Sequence, residues 1–264
     1  MSAPWKPTKT ATVLPEDSVI QSNEKVAIVT GASRGIGAAI AERLAEDGFS
    51  VVVNYRGDVQ PADELVRKIA AFGGNARAFK ADVSDPDAVR SMFDDTEAVF
   101  GAVDVLVNNA GIMPLAKIAD SDDVLFDRVV DANLRGTFNT LREAAKRLRS
   151  GGRIINLSSS VVGHYQPTYG LYAATKAAVE AITHVLAKEL GSRQITVNAL
   201  APGPTSTELF TNGKSPEVIQ HIVSLNPMGR LGTPEDVARA VSVLAGEDSA
   251  WISGQVVRAN GGVI

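Results

Sequence analysis

The chain has 264 residues, 45% of them hydrophobic, and a formal charge of −4 at neutral pH. That length suits one doubly wound α/β domain, and the acidic balance argues against a nucleic-acid partner. The absence of cysteine excludes disulfides, thiolate catalysis and cysteine-based zinc sites, and no apolar run approaches the roughly 18 residues a membrane span needs.

Residues 1–24 carry Pro4, Pro7 and Pro15 among scattered polar groups, without an apolar signal core, and read as a flexible tail before a unit covering 25–264. Val26 to Thr30 is a short apolar run of the kind that forms a buried parallel strand. Gly31-Ala32-Ser33-Arg34-Gly35-Ile36-Gly37 follows, and then a helical run from Ala38 to Ala45. A strand, a glycine-rich turn and a helix start make an anion site: backbone N–H groups point outward and the helix dipole favours phosphate. Glycines let the turn close tightly and approach a pyrophosphate. Gly31, Ser33, Arg34, Gly35, Ile36 and Gly37 are therefore candidate cofactor-binding residues.

Further strands are predicted at 51–55, 76–80, 103–107, 153–157, 195–199 and 255–258, with helical stretches between them. This is the pattern of a Rossmann-type, doubly wound parallel sheet of seven strands with helices on both faces. In such a sheet the ligand lies at the carboxyl ends of the strands. The second strand ends in Asn54, Tyr55 and Arg56, which are candidate cofactor-binding residues, with no carboxylate before Asp58 to accept a ribose 2′-OH. Arg56 is a permanently charged fork suited to a 2′-phosphate, and Arg34 could reach the same group, so NADP(H) is the expected cofactor.

Tyr172 and Lys176 stand four residues apart, which puts both side chains on one face of a helix. A phenol with a reference pKa near ~10 is a weak acid at neutral pH, and an adjacent cation is expected to lower that value. Ser159 lies thirteen residues before Tyr172, just past a predicted strand, where its hydroxyl could bond the same reacting oxygen. It stands between Ser158 and Ser160, so the register is open by one residue. His164, His184 and His221 show no ligand spacing, and no metal site is expected.

Taken in order, Thr30 to Gly37, Asn108-Asn109-Ala110-Gly111, Asn133, Ser159, Tyr172, Lys176 and Pro202-Gly203 resemble the short-chain dehydrogenase/reductase superfamily, from about residue 25 onward. Leu157 to Ser160, Ala201 to Thr205 and Arg258 to Gly262 look most like NADPH-dependent aldehyde reductase-like members, with 3-oxoacyl reductases close by. The resemblance implies carbonyl reduction by hydride transfer, with Tyr172 as general acid, Lys176 lowering its pKa and binding the nicotinamide ribose, Ser159 donating to the carbonyl oxygen, and Asn133 holding a relay water. The family's thirteen-residue separation of Ser and Tyr selects Ser159. Also by resemblance, Asp82 and Val83 hold adenine, Asn109, Ala110 and Gly111 lie beside the ribose, and Pro202, Gly203, Thr205 and Thr207 bind the carboxamide.

Residues 205–228 are expected to form a flap broken at Gly213 and Pro216. Leu209, Phe210, Ile219, Ile222 and Val223 could line its inner face, which suggests a medium-sized hydrophobic aldehyde or ketone. A 3-oxoacyl thioester reductase, an NAD-linked alcohol or sugar dehydrogenase, and a non-catalytic nucleotide sensor or scaffold are the alternatives. The resemblance further implies a homotetramer built through the Tyr172 helix, the helix before it and the last strand. A cytoplasmic location is expected, with no membrane or nucleic-acid partner.

Overall fold

A computed structural model describes residues 25–264; the tail expected at 1–24 lies outside the described residues. Seven strands are present: β1 (Val26–Val29), β2 (Ser50–Tyr55), β3 (Asn75–Lys80), β4 (Val105–Asn108), β5 (Arg153–Leu157), β6 (Thr196–Pro202) and β7 (Val256–Ala259). All are parallel, in the order β3-β2-β1-β4-β5-β6-β7. Between them run α1 (Gly35–Glu46), α2 (Gln60–Ala71), α3 (Pro86–Phe100), α4 (Asp123–Val130), α5 (Gly136–Arg147), α6 (Val161–His164), α7 (Gly170–Leu190), α8 (Glu208–Thr211), α9 (Pro216–Ser224) and α10 (Pro234–Ala245).

Every residue of β1, β2, β4, β5 and β6 is buried, which is why these segments are nearly continuous apolar runs. Successive side chains take opposite faces of the sheet. Ala27 and Val29 pack with Ile40 and Leu44 of α1, Ile69 of α2 and Val241 of α10. Ile28 packs on the other face with Phe93 of α3, Leu141 of α5 and Leu186 of α7. Burying each large side chain of this kind contributes about 1.5–3 kcal/mol. Local signals set the helix starts. The Asp85 carboxylate accepts the Asp87 and Ala88 N–H groups ahead of Pro86, and Thr233 forms a reciprocal cap with Asp236 ahead of Pro234.

Most strand limits shift from the sequence expectation, by one residue except at β4 and β6. β4 begins at Val105 because Asp104 is a plug: its carboxylate accepts the Val26 N–H at 2.8 Å and its own N–H donates to the Val26 carbonyl. β6 runs on to Pro202 because β7 pairs with it as far as Pro202 opposite Ala259. β1 lies between β2 and β4, so the chain leaves it in opposite directions and a crevice opens at the strands' carboxyl ends. α4 passes into α5 through a π-helical turn, Asp131–Arg135. Such turns shift the side-chain register of a helix and recur at functional sites. Among the described residues, no helix is long and apolar enough to cross a membrane.

Candidate active site

The glycine loop after β1 is shaped by backbone contacts. Gly31 has φ +60°, and a Cβ there would lie 2.9 Å from the Ala110 Cα. A Cβ on Gly37 would lie 2.4 Å from the Asn109 amide nitrogen and 2.5 Å from the Gly31 carbonyl. Asn109 Nδ2 donates to the Thr30 and Gly31 carbonyls at 2.9 and 3.0 Å, while the Thr30 hydroxyl accepts the Asn109 and Ala110 N–H groups. Asn54 Oδ1 accepts the Gly31 N–H at 3.1 Å, and its amide nitrogen donates to the Phe79 and Ala81 carbonyls. The loop is thus clamped from β2 and β4 at once.

A cleft of about 470 Å³ runs from this loop past Arg56, Asp82 and Val83 to Gly111. Arg34 lies 3.5 Å from Glu208 and Arg56 lies 3.5 Å from Asp82. Burial would raise the Asp82 carboxyl, but the Ser84 hydroxyl and N–H, with Arg56, hold it below its ordinary value. Tyr55 is the exception among the residues predicted here: its side chain packs in the core with α1 and α2. It was expected at the cofactor because it ends β2. The period-two alternation instead turns it to the core face, opposite to Asn54. The close glycine approach and the helix start of α1 fit a dinucleotide pyrophosphate, and the two arginines fit a further phosphate.

A second, smaller cavity of about 110 Å³ adjoins the cleft and shares Ile36, Gly111 and Thr207 with it. Ser159, Tyr172 and Lys176 meet here with Pro202, Gly203, Thr205 and Thr207. Ser159 shares this cavity with the Tyr172 phenol, near enough for its hydroxyl to bear on the phenol's ionisation. Its two neighbours are committed elsewhere: the Ser158 hydroxyl donates to Glu180 at 2.5 Å, and the buried Ser160 gives its N–H to the Pro202 carbonyl. Lys176 Nζ donates to the Leu157 carbonyl at 2.6 Å and lies 5.7 Å from the centre of the Tyr172 ring. A Cβ on Gly203 would meet the Asn260 Cα at 2.8 Å, the Thr205 hydroxyl donates to the Gly203 carbonyl, and Thr207 caps α8.

The electrostatics correct one expectation. Burial pushes the Tyr172 phenol up to about 12; the Ser159 hydrogen bond opposes the rise and the nearby Tyr169 adds to it. Burial brings the Lys176 ammonium down to about 8. The expected lowering of the phenol by Lys176 is therefore not what the protein groups produce. The ammonium is directed at the Leu157 carbonyl, and desolvation dominates both groups.

Asn133, buried in the π turn, lines neither cavity. Its amide accepts the Ile112 N–H at 2.8 Å and donates to the Ile112 carbonyl and the Thr175 hydroxyl. A Cβ on Gly111 would lie 3.1 Å from Asn133 Oδ1 and 3.8 Å from Lys176 Nζ, so glycine lets these groups converge. Two sets of supports went unread in the sequence. Thr30 had only motif membership to mark it. Asn108 and Asn156 bond each other at 2.9 Å across β4 and β5; two asparagines in apolar strands were the available signal.

The flap is built as α8 and α9, with Gly213 at φ +75° between them and Pro216 opening α9. Of its expected apolar face, Leu209 and Phe210 reach the small cavity; Ile219, Ile222 and Val223 are half-buried away from it.

A parallel sheet with a glycine-clamped phosphate crevice and a Ser-Tyr-Lys cluster beside it defines a dinucleotide-dependent oxidoreductase. A family model described as enoyl-(acyl carrier protein) reductase matches residues 31–264. A short-chain type dehydrogenase/reductase of Picea abies is 46% identical, covering 91% of this chain and 92% of the relative. NADPH-dependent aldehyde reductase 2, chloroplastic, of Arabidopsis thaliana is also 46% identical, covering 91% and 94%. A short-chain dehydrogenase from Burkholderia cenocepacia, solved in complex with NADP, superposes with a TM-score of 0.86 at 38% identity, covering 90% and 97%. The chain belongs to the short-chain dehydrogenase/reductase superfamily.

Proposed function

We propose that this chain is an NADPH-dependent reductase that acts on the carbonyl of an aldehyde or ketone. The observation that carries the reading is the gathering of Ser159, Tyr172 and Lys176 in a cavity opening onto the dinucleotide cleft. The cofactor is NADP(H), in keeping with Arg34 and Arg56 at the cleft and with relatives named for that nucleotide. When bound, it supplies the hydride.

The remaining steps belong to the protein. Tyr172 donates its phenolic proton to the carbonyl oxygen as charge builds there. A phenol held near 12 is almost wholly protonated at neutral pH, the state this step requires. The Ser159 hydroxyl donates to the same oxygen, and that bond strengthens with the developing charge. Lys176, titrating near 8, is mostly an ammonium at pH 7, and its charge favours the phenolate left on Tyr172. Asn133 fixes the strand end around Gly111 and Ile112 and is assigned the relay water. The gathering of Met113, Leu209 and Phe210 in a small cavity favours a compact apolar substrate.

The test is initial rates with NADPH and with NADH across aldehydes, ketones and 3-oxoacyl thioesters. NADPH should be preferred, small apolar carbonyls should turn over fastest, and Arg56→Asp should reverse the cofactor preference. A 3-oxoacyl thioester is the second reading, favoured by a 42% identical Staphylococcus aureus relative named 3-oxoacyl-[acyl-carrier-protein] reductase; thioesters outpacing every free carbonyl would install it. Binding of NADPH without turnover on any substrate would leave a nucleotide sensor.

A homotetramer and a cytoplasmic location belong to the same proposal. Val124 and Phe126 of α4, Phe138 of α5 and the 99% exposed Trp251 before β7 are large apolar side chains left open to solvent. A contact between copies of the chain would cover side chains of this kind. Light scattering should give the mass of four chains; the mass of one chain would contradict it.

A further inference from the structure

The charged side chains lining the dinucleotide cleft are two arginines and two carboxylates: Arg34, Arg56, Asp82 and Glu208. Each arginine lies 3.5 Å from one carboxylate, Arg56 beside Asp82 and Arg34 beside Glu208. The cleft is thus charge-balanced before any anion enters it, and a phosphate must compete for each cation.

The two pairs are not equivalent. Asp82 also accepts the Ser84 N–H at 2.9 Å and the Ser84 hydroxyl at 2.7 Å, so it keeps two donors when Arg56 turns to another anion. Glu208 has Arg34 as its one ion-pair partner among the described residues. It also opens α8, a four-residue helix with no buried residue, joined to α9 through the left-handed turn at Gly213. A carboxylate and a phosphate converging on one guanidinium repel each other. The side on which Glu208 sits is the side least held by packing.

We infer that Glu208 is a cofactor-selectivity residue: it holds Arg34 in the free chain, and the 2′-phosphate of the cofactor takes Arg34 from it, releasing α8. Glu208 therefore opposes the phosphorylated cofactor specifically. A nucleotide without the 2′-phosphate has nothing to exchange for Glu208 and leaves the pair in place. The exchange couples the adenosine end of the cleft to the flap over the Ser159–Tyr172 cavity, through the sequence-adjacent Thr207, Leu209 and Phe210. The inference rests on the reading of Arg34 as a 2′-phosphate contact.

The experiment uses 2′,5′-ADP and 5′-AMP, which differ only in that phosphate, titrated calorimetrically into the full chain, Glu208→Gln and Arg34→Met. Hydrogen exchange at residues 208–211 is followed in parallel. Both side chains are mostly exposed, 65% for Arg34 and 74% for Glu208, so neither substitution threatens folding. Glu208→Gln should bind 2′,5′-ADP about two- to fivefold tighter, the range an exposed ion pair supplies, with 5′-AMP unchanged. In the unsubstituted chain 2′,5′-ADP should speed exchange at 208–211 and 5′-AMP should not. In Glu208→Gln neither ligand should change it. Equal shifts for both ligands, no shift for either, or an exchange response without the 2′-phosphate would overturn the inference. Arg34→Met separates the two levels. If it abolishes the preference for 2′,5′-ADP while Glu208→Gln does nothing, only the inference falls. If it leaves that preference intact, the reading of Arg34 falls and the inference with it.

Discussion

Ser159 is distinguished from its neighbours by where their hydrogen bonds go. The Ser158 hydroxyl is bound to Glu180 and Ser160 is buried against β6, which leaves Ser159 in the cavity with the Tyr172 phenol. Ser159→Ala should therefore lower kcat by about 10²–10³-fold, the cost of one lost oxyanion donor, whereas Ser160→Ala stays near the unsubstituted rate. Steady-state kinetics on one carbonyl substrate decides it; a dead Ser160→Ala with an active Ser159→Ala would move the register by one. The pH profile is a second test at this scale. The phenol keeps its proton up to about 12, so the alkaline limb of kcat/KM for reduction should follow Lys176, near 8. A rate that holds flat from pH 7 to pH 10 would remove Lys176 from the proton chemistry. The Tyr172 and Lys176 pairing was legible because a four-residue spacing fixes a shared helix face. The direction of the phenol's shift was not, because desolvation depends on what the fold packs around it.

The glycine loop shows the same division at the scale of an element. Its strand, turn and helix start are local and were readable in order. Its supports come from Asn54 and Asn109, residues 23 and 78 positions away from Gly31, and from the hydroxyl of Thr30 at its head. Tyr55 failed as a cofactor residue for a comparable reason: the end of β2 was placed correctly, but the face each residue takes depends on the sheet's two covers. Gly37→Ala should raise the dissociation constant for NADPH at least tenfold, because its Cβ would overlap the Asn109 amide and the Gly31 carbonyl. Fluorescence titration of NADPH measures this, and unchanged binding with an unchanged melting temperature would mean the loop can reshape. In the flap, only Leu209 and Phe210 of the expected apolar set line the cavity. Phe210→Ala should change KM across a substrate series far more than it changes NADPH binding.

Across the whole molecule, the buried Tyr172 and Lys176 contribute to the alkaline stability in opposite directions. Lys176 titrates near 8 when folded and near 10.5 when unfolded, so between these values the unfolded chain binds the extra proton and stability rises with pH. Tyr172 acts oppositely: its folded value near 12 lies above 10, and stability falls as pH climbs through that window. Melting curves of the chain and of Lys176→Met should therefore converge between pH 8 and pH 10, the unsubstituted chain gaining relative to the variant. A constant gap would mean the buried ammonium carries no charge penalty. The seven parallel strands and their covering helices were legible because short apolar runs alternate with helical stretches along the chain. The charge-balanced cleft was not, since Arg34 with Glu208 and Arg56 with Asp82 are pairings only the folded crevice creates. The most direct test of the central claim is single-turnover loss of NADPH absorbance in Tyr172→Phe, alongside calorimetric NADPH binding. Loss of reduction with binding unchanged is the predicted result. A variant that still reduces its carbonyl at the unsubstituted rate would show that the proton comes from another group.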